Sequence, residues 1–496
     1  MQDSVVKVEG IDYKYITDIR FHKGVNEHGS ATIKCVVEDE KAENVLKLNT
    51  DAVWVSVKIG EEEGGEATTP VFSGIIQKIA VDTRQGVSEV QIELIGGSYL
   101  MDIARVTRTY QNDESKLSNV IDVVKKNCDK AFSGNKTMIN TGKECKDSFK
   151  PECKLLVQYN ETDYEFLKRC ASMQNLPLIT SINSTNESCV NVNIGILEAG
   201  KTETLDLKYY KQEVQVIDYI TDSKSGLEGA KEKDYGTMVV RCRDYFDIGS
   251  KVSIAGKTMY VYSVDSVYDS SHKTSKGGSN INKDQFWHVY VLAEEKRFQV
   301  PQHYNYKMIG ASLQGEVKEV VKAKLKIECK ADKENETPAK DPLEFPFATV
   351  YSSNDGTGWY CMPEPKDVIR LYLPTEDEKD AYVISAVHLE EGTGLRDDPE
   401  CKFIMNKYKK QVEFTKDSIR ITNNDGLEIK LDDKKGISIL SDKDINMSAE
   451  KEINILSTKD KVNISGQSEV KVSQGATAYI DLKNTATIKG ASVDIK

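Results

Sequence analysis

Short stretches in which apolar and polar side chains alternate recur between Val5 and Leu100. Ala31–Val37, Val53–Ile59, Phe72–Ile76 and Glu89–Ile95 each keep the two-residue period of a half-buried strand. Glycine-rich breaks at Gly60–Gly65 and Gly96–Gly97 punctuate them, as turns between strands require. Two helices interrupt the pattern. In Ser115–Cys128 the residues Leu117, Val120, Ile121, Val124 and Cys128 share one face at helical spacing. Thr162-Asp-Tyr-Glu165 has the form of a capping box, in which hydroxyl and carboxylate satisfy early backbone donors. It opens a helix with Phe166, Leu167, Cys170, Ala171 and Met173 as the apolar stripe, stopped near Asn175 and Pro177. Strands resume at Val214–Ile220, Met238–Arg243, Val252–Ile254, Met259–Val267 and Trp287–Ala293.

A second block of strands comprises Val317–Ile327, Phe347–Tyr351, Val368–Leu373 and Ala381–Val387. Its length suits a small barrel of the OB type. The charged stretch Ala331–Asp341 reads as a solvated loop inside it, and Glu390–Pro399 with Asn406–Gln411 as a polar neck.

Beyond the neck the pattern acquires a longer period. Ile421, Ile429, Ile437, Ile445 and Ile453 recur every eight residues, and so do Leu431, Ile439, Met447 and Ile455. After a one-residue slip the register continues with Val462, Val470, Ala478 and Ala486, paired with Ile464, Val472, Ile480 and Ile488. Each repeat is apolar-x-apolar followed by five mostly polar residues, so two side chains per repeat point to one face of a short strand. One chain with two inward residues per repeat cannot fill a core. Three chains around one axis can, and they leave no free sheet edge. Ordinary hairpins would call for Gly/Asn turns and aromatic cross-strand pairs, yet only Phe414 and Tyr479 are aromatic beyond residue 411. The expectation is a triple-stranded β-helix formed as a homotrimer, with those paired positions as its core.

Composition sets further bounds. The 496 residues predict about three to five domains. A formal charge of −12 disfavours phosphate backbones and anionic membranes as partners. The N-terminus has neither the basic nor the apolar region of a signal peptide, and no run is long and apolar enough to span a bilayer. The ten cysteines include no C-x-x-C pair and read as reduced thiols of a cytosolic protein. The six histidines form no H-x-H or H-E-x-x-H pattern, and no Walker loop or G-x-S-x-G elbow occurs. Asp397-Asp398 and Asp432-Asp433 could suggest paired carboxylates, but their context is that of solvated turns. No enzyme, metal site or cofactor is expected.

Several motifs then line up in one order. They are Val25–Ile33, Phe72–Ile76, Leu100-Met-Asp102, Tyr110-Gln111, Gln158–Leu167, Asp247-Ile-Gly249, Val261–Val264, Gly358-Trp-Tyr-Cys-Met-Pro363 and Pro365-Lys-Asp-Val368. Across essentially its whole length the chain resembles the VgrG proteins of type VI secretion and the hub-and-spike fusions of phage tails. Two departures stand out: Lys366 occupies a position where glycine is common, and the turn Glu376–Asp380 is unusually acidic. Between His388 and Ile419 a lysozyme domain is not expected, and with the repeat register running to Lys496 no appended toxin is expected either.

The resemblance implies a mainly β chain with four parts. Residues 1–308 form a tail-hub region of two barrel-like domains with helical inserts, and 309–392 an OB-type barrel; 393–418 are the neck and 419–496 the spike. It implies a structural needle that caps a hexameric tube, contacts baseplate proteins and carries a PAAR-type tip protein near Ser492–Lys496, with effector cargo possible. The target membrane is met only by mechanical puncture, and nucleic acid is not a partner. Such a protein is assembled in the cytoplasm of the producing cell and then exported with the particle. The competing reading is a free trimeric β-helical protein that binds or depolymerises polysaccharide.

Overall fold

In a computed structural model the residues described are 5–482, apart from 39, 41, 43–44, 47–52, 61–66, 85–86, 133–135, 150–152, 183–185, 199–201, 206–208, 270–284, 338, 389–393, 395 and 476–477. The chain divides into two units, Met1–Leu389 and Glu390–Lys496.

The first unit is organised by a twelve-stranded sheet. Its strands run in the order Val5–Glu9, Trp54–Gly60, Thr69–Arg84, Val87–Gly96, Ser30–Val37, Tyr15–Gly24, Lys257–Asp269, Gln285–Ala293, Gly236–Cys242 and Lys211–Val214. Lys251–Ile254 and Glu203–Thr204 branch from Lys257–Asp269. The two barrel-like halves expected of 1–308 therefore share one sheet, joined where Tyr15–Gly24 pairs antiparallel with Lys257–Asp269. Alternation drives this: in Val87–Gly96 the residues Val90, Ile92 and Leu94 are buried while Glu89, Gln91, Glu93 and Ile95 between and beside them are more exposed. They pack with Ile19, Ile33, Val57, Phe72, Val264 and Leu292 in one core. Gly97 is required at the sheet's rim, because a Cβ there would lie 2.0 Å from the Trp54 ring.

A second core forms around the helices. Leu117–Ala131 buries Leu117, Val120, Ile121, Val124 and Cys128, the face expected from spacing. Asp163–Ser172 opens on a complete capping box, with Glu165 N–H donating to Thr162 Oγ1 and Thr162 N–H to Glu165 Oε2. Sequence and structure disagree at Val214–Ile220. Only Lys211–Val214 is strand, and Val216–Lys224 is a helix with no buried residue. The spacing of Val216, Ile217 and Ile220 fits a helix face as well as a strand, and without burial the β-branched residues do not decide between them.

The third core belongs to a small barrel. Its strands, in chain order, are Ala311–Val321, Lys324–Cys329, Glu344–Pro346, Val368–Leu373 and Tyr382–Ile384. They pair in the spatial order third, second, first, fourth, fifth. A parallel bridge between Phe347 and Val383 joins the two ends, which closes a five-stranded barrel of the OB type. The expected strand Val317–Ile327 is in fact a hairpin, turned at Lys322 with φ 55°. The expected strand at Phe347–Tyr351 lies earlier, over Glu344–Pro346.

The second unit contains a five-stranded antiparallel meander: Lys402–Met405, Gln411–Phe414, Ser418–Thr422, Leu427–Asp432 and Gly436–Ser441. Two of its strands fall within the stretch expected to be neck. A separate hairpin pairs Val470–Gln474 with Ala478–Leu482. The first repeats thus pair as hairpins within the chain, an arrangement the sequence reading had set aside. The turn residues explain it: Asn424, Gly426 and Gly436 have φ of 54°, 84° and 84°, which supplies the left-handed backbone that tight turns need.

Candidate functional site

In the meander, register turns the period of eight into rows. Ile404, Val412, Ile421, Ile429 and Ile439 stand opposite one another across all five strands. Phe414, Ile419, Leu431 and Ile437 form a second row. Residues two apart on a strand point the same way, so both rows cover one face. The other face carries Glu413, Arg420, Glu428 and Lys430, with Arg420 Nε 2.5 Å from Glu428 Oε2. Burial is inverted: these charged residues are half-buried, while Ile421, Ile437 and Ile439 are 48%, 73% and 58% exposed.

The middle repeats differ again. Residues 443–468 make no backbone–backbone hydrogen bond to another described residue. Their apolar pairs Ile445 and Met447, Ile453 and Ile455, Val462 and Ile464 are all exposed. Val470 is half-buried, and Val472 and Ile480 are exposed in the hairpin, where they face each other in register. Ile488 lies outside the described residues. The chain thus sets an apolar stripe and an unpaired backbone along the same segment. Backbone donors and acceptors beside apolar side chains are satisfied most readily by other strands.

A second feature went unread in the sequence: the joint between the sheet-and-helix region and the barrel. Arg169 is almost fully buried, and every guanidinium nitrogen is used. Nε and Nη2 each lie 2.9 Å from an oxygen of Glu161, Nη1 lies 2.8 Å from Glu378 Oε1, and Nη2 also donates to Val157 O at 2.7 Å. Burial opposes the charge, but Glu378 and Glu161 hold the pKa above its usual value. The signal was present, since Arg169 interrupts the apolar face of its own helix. The stretch Ala331–Asp341, expected to be a solvated loop, corrects the sequence reading. Lys330–Glu334 is a short helix whose Asp332 is fully buried and accepts from Thr109 N at 2.6 Å and Thr109 Oγ1 at 2.5 Å. Burial pushes the Asp332 pKa up to about 6. Asn335 Nδ2 donates to Thr107 O, and Leu343 N–H to Gln111 Oε1. The segment is stitched along the strand Arg105–Gln111.

Among the described residues no group of three or more His, Cys, Asp or Glu side chains could hold a metal ion. His288 is buried, with Nδ1 2.7 Å from Ser266 Oγ, and burial lowers its pKa to about 4. His22 lies 2.7 Å from both Asp265 and Glu27; burial opposes its charge, but the two carboxylates raise its pKa. All ten cysteines are free thiols. Asp397 and Asp398 are exposed, and Asp432 Oδ1 accepts from the backbone of Lys434 and Lys435 in a turn.

No family model and no curated protein matches the sequence. Solved structures do. The E. coli c3393 protein, described as a component of the type VI secretion system with structural similarity to T4 bacteriophage tail proteins gp27 and gp5, superposes with a TM-score of 0.52 at 10% identity, over 77% of this chain and 100% of its own. A chain of a PdpA-VgrG complex in its lidless form gives 0.52 at 12% identity, over 88% and 98%. For the Francisella PdpA-VgrG complex in its lidded form the values are 0.53 and 12%, over 89% and 80%. The fold is that of a VgrG-type tail hub. Within that fold two of the quoted motifs contribute to the interior. Gln158 is fully buried and donates to Asp163 Oδ1 at 3.0 Å, while Tyr110 stacks on Phe166 with centroids 5.5 Å apart. Lys366, where the resemblance favours glycine, has φ 80°.

Proposed function

We propose that this protein is a structural spike component of a contractile injection system. Three copies form a hub that caps a hexameric tube and contacts baseplate proteins. Their repeats wind into a needle that carries a PAAR-type tip protein and is driven through a target envelope when the sheath contracts. The particle assembles in the cytoplasm of the producing cell before export. The observation that carries this reading is the segment 443–468, where exposed apolar pairs recur at the repeat spacing along a backbone that makes no backbone–backbone hydrogen bond to another described residue. Such a segment is completed by other copies of itself, and the VgrG-type fold supports a hub as what it is attached to.

Light scattering on the purified full chain tests the assembly. The expected mass is that of three chains; a particle of 55.5 kDa would overturn the reading. Co-purification with tube or baseplate proteins from a producing cell tests the role, and a trimer that associates with neither would be a spike without a tail.

A further inference from the structure

Among the described residues the largest side chain to be completely buried is a charged one: Arg108 is 0% exposed. A guanidinium carries five N–H donors and keeps its proton inside a protein. Arg108 Nη2 donates to Asp163 Oδ1 at 2.6 Å. Nε and Nη1, which hold three of the five N–H groups, have no hydrogen-bond partner among the described residues. Arg169, equally deep, has every nitrogen bonded. Buried donors are satisfied almost without exception, by protein or by ordered water, and leaving charged ones open is costly.

A matching acceptor stands opposite. The strand Arg105–Gln111 pairs antiparallel with Leu155–Thr162, and Arg108 is in register with Gln158, which sets the two side chains next to each other on one face. The same face carries Tyr110, which stacks on Phe166 of the helix Asp163–Ser172. Gln158 is also 0% exposed. Its Nε2 donates to Asp163 Oδ1 at 3.0 Å and to Glu161 O at 3.2 Å. Those two acceptors fix the amide, because a flip would set oxygen against oxygen. Gln158 Oε1 has no partner among the described residues, so it and Arg108 do not bond to each other although they are paired in register. The Tyr110 hydroxyl is likewise buried and without a partner among the described residues.

Charge then decides what fits. Arg108 and Asp163 neutralise each other. A further carboxylate, Asp332, bonds to Thr109 on the other face of the strand, near enough for the Arg108 charge to act on it. An added anion would leave buried negative charge in excess, and a cation would face the guanidinium. The open groups are donors on Arg108 and an acceptor on Gln158. A small neutral molecule that both accepts and donates satisfies them. Water does so, and folded chains enclose it regularly with about three hydrogen bonds to buried polar groups.

The geometry points to an internal water site between the strand pair and the helix, in which a water molecule accepts from Arg108 Nε or Nη1 and donates to Gln158 Oε1. The site lies within Met1–Leu389 and does not depend on how many chains assemble.

The test is a high-resolution crystal structure of the full chain, with and without a bromide soak. The expected result is a single round density peak within about 3.2 Å of both an Arg108 nitrogen and Gln158 Oε1, with no anomalous signal after the soak. A bromide signal at that position would make the site an anion site and overturn the proposal. So would an absence of density, or a guanidinium bonded directly to Gln158 Oε1. Gln158→Met keeps the length of the side chain and removes the acceptor, so the peak should disappear from its map. A peak that persists in Gln158→Met overturns the bridge. If that variant does not fold, the wild-type maps alone decide.

Discussion

In the unit Met1–Leu389 the buried Arg169 has a partner for each of its nitrogens; in the unit Glu390–Lys496 the apolar Ile439 stands 58% exposed. One chain finishes the first unit. Three apolar cores, a closed barrel and a buried Arg169 bonded at every nitrogen are the ordinary marks of a domain that folds on its own contacts. The second unit turns those marks inside out, with charges half-buried and isoleucines in solvent. Water cannot stabilise an apolar sheet face, so that face is unfinished. The contrast separates what one molecule completes from what, in the needle proposed above, several would complete together.

The sharpest way to break this contrast is to place a charge on the unfinished face. In an isolated chain Ile429→Asp or Ile437→Asp replaces an exposed residue and should change little. In an assembled needle each places three carboxylates in a dry core, at a cost of about 3–5 kcal/mol per chain. The expected outcome is loss of the trimer by light scattering and a large fall in melting temperature. Lys434→Asp, in the exposed turn between those strands, is the control and should leave both unchanged.

Within the finished unit the largest effect should come from Arg169→Met. It leaves Glu161 and Glu378 buried and facing each other without a cation. Breaking a buried pair in this way costs about 3–5 kcal/mol. Hydrogen exchange should rise across Val368–Leu373 and Leu155–Thr162, which meet at the joint, before it rises in the twelve-stranded sheet. Uniform exchange across the unit would show that the joint is not a separate weak point. Glu378→Gln keeps one acceptor and should cost less.

Much of the finished unit was legible because burial follows period. Leu117–Ala131 and the capping box at Thr162 were readable because local spacing and local hydrogen bonds dictate them. The barrel strand Val368–Leu373 was readable for the same reason. What escaped were contacts between residues far apart in sequence. Asp332 looked solvated because its neighbours are charged, yet its partner is Thr109. Arg169 announced itself as a charge in an apolar stripe, but its third partner, Glu378, lies in an acidic turn that looked like surface. In the repeats the period was plain, whereas the hairpins depended on Asn424, Gly426 and Gly436, whose turn chemistry the period concealed.

Asp332 yields a pH signature with a definite sign. Its pKa is about 6 in the fold, against 3.8 for an unburied aspartate. The folded state therefore binds its proton first. The stabilisation from that proton is fully present below pH 4 and is lost as pH rises through 6, a swing of roughly 2–3 kcal/mol. Asp332→Asn cannot titrate. The wild type minus the variant should thus show stability rising as pH falls from 7 to 4, measured by denaturant midpoints. A difference that is flat with pH, or that falls on acidification, would place Asp332 in a wetter or better-paired setting than its burial indicates.

The smallest effect concerns Lys366, a non-glycine residue at positive φ. Glu364-Pro365-Lys366-Asp367 closes with Asp367 N–H donating to Glu364 O at 3.0 Å, and Lys366 has φ 80°. Proline at the second position and a positive φ at the third define a type II turn, which favours glycine at that third position. A lysine there pays about 1–2 kcal/mol in backbone strain, while glycine returns about 0.5–1 kcal/mol of it through the freedom of the unfolded chain. Lys366→Gly should therefore stabilise the unit by about 0.5–1 kcal/mol, read as a higher denaturant midpoint with unchanged slope. The Lys366 N–H bond to Val317 O at 2.8 Å is a backbone contact and survives the change. If Lys366→Gly instead destabilises the protein, the lysine side chain is doing something its exposure in one chain does not reveal. A partner at the barrel surface would then be the first place to look, which returns the question to how many chains this sequence describes.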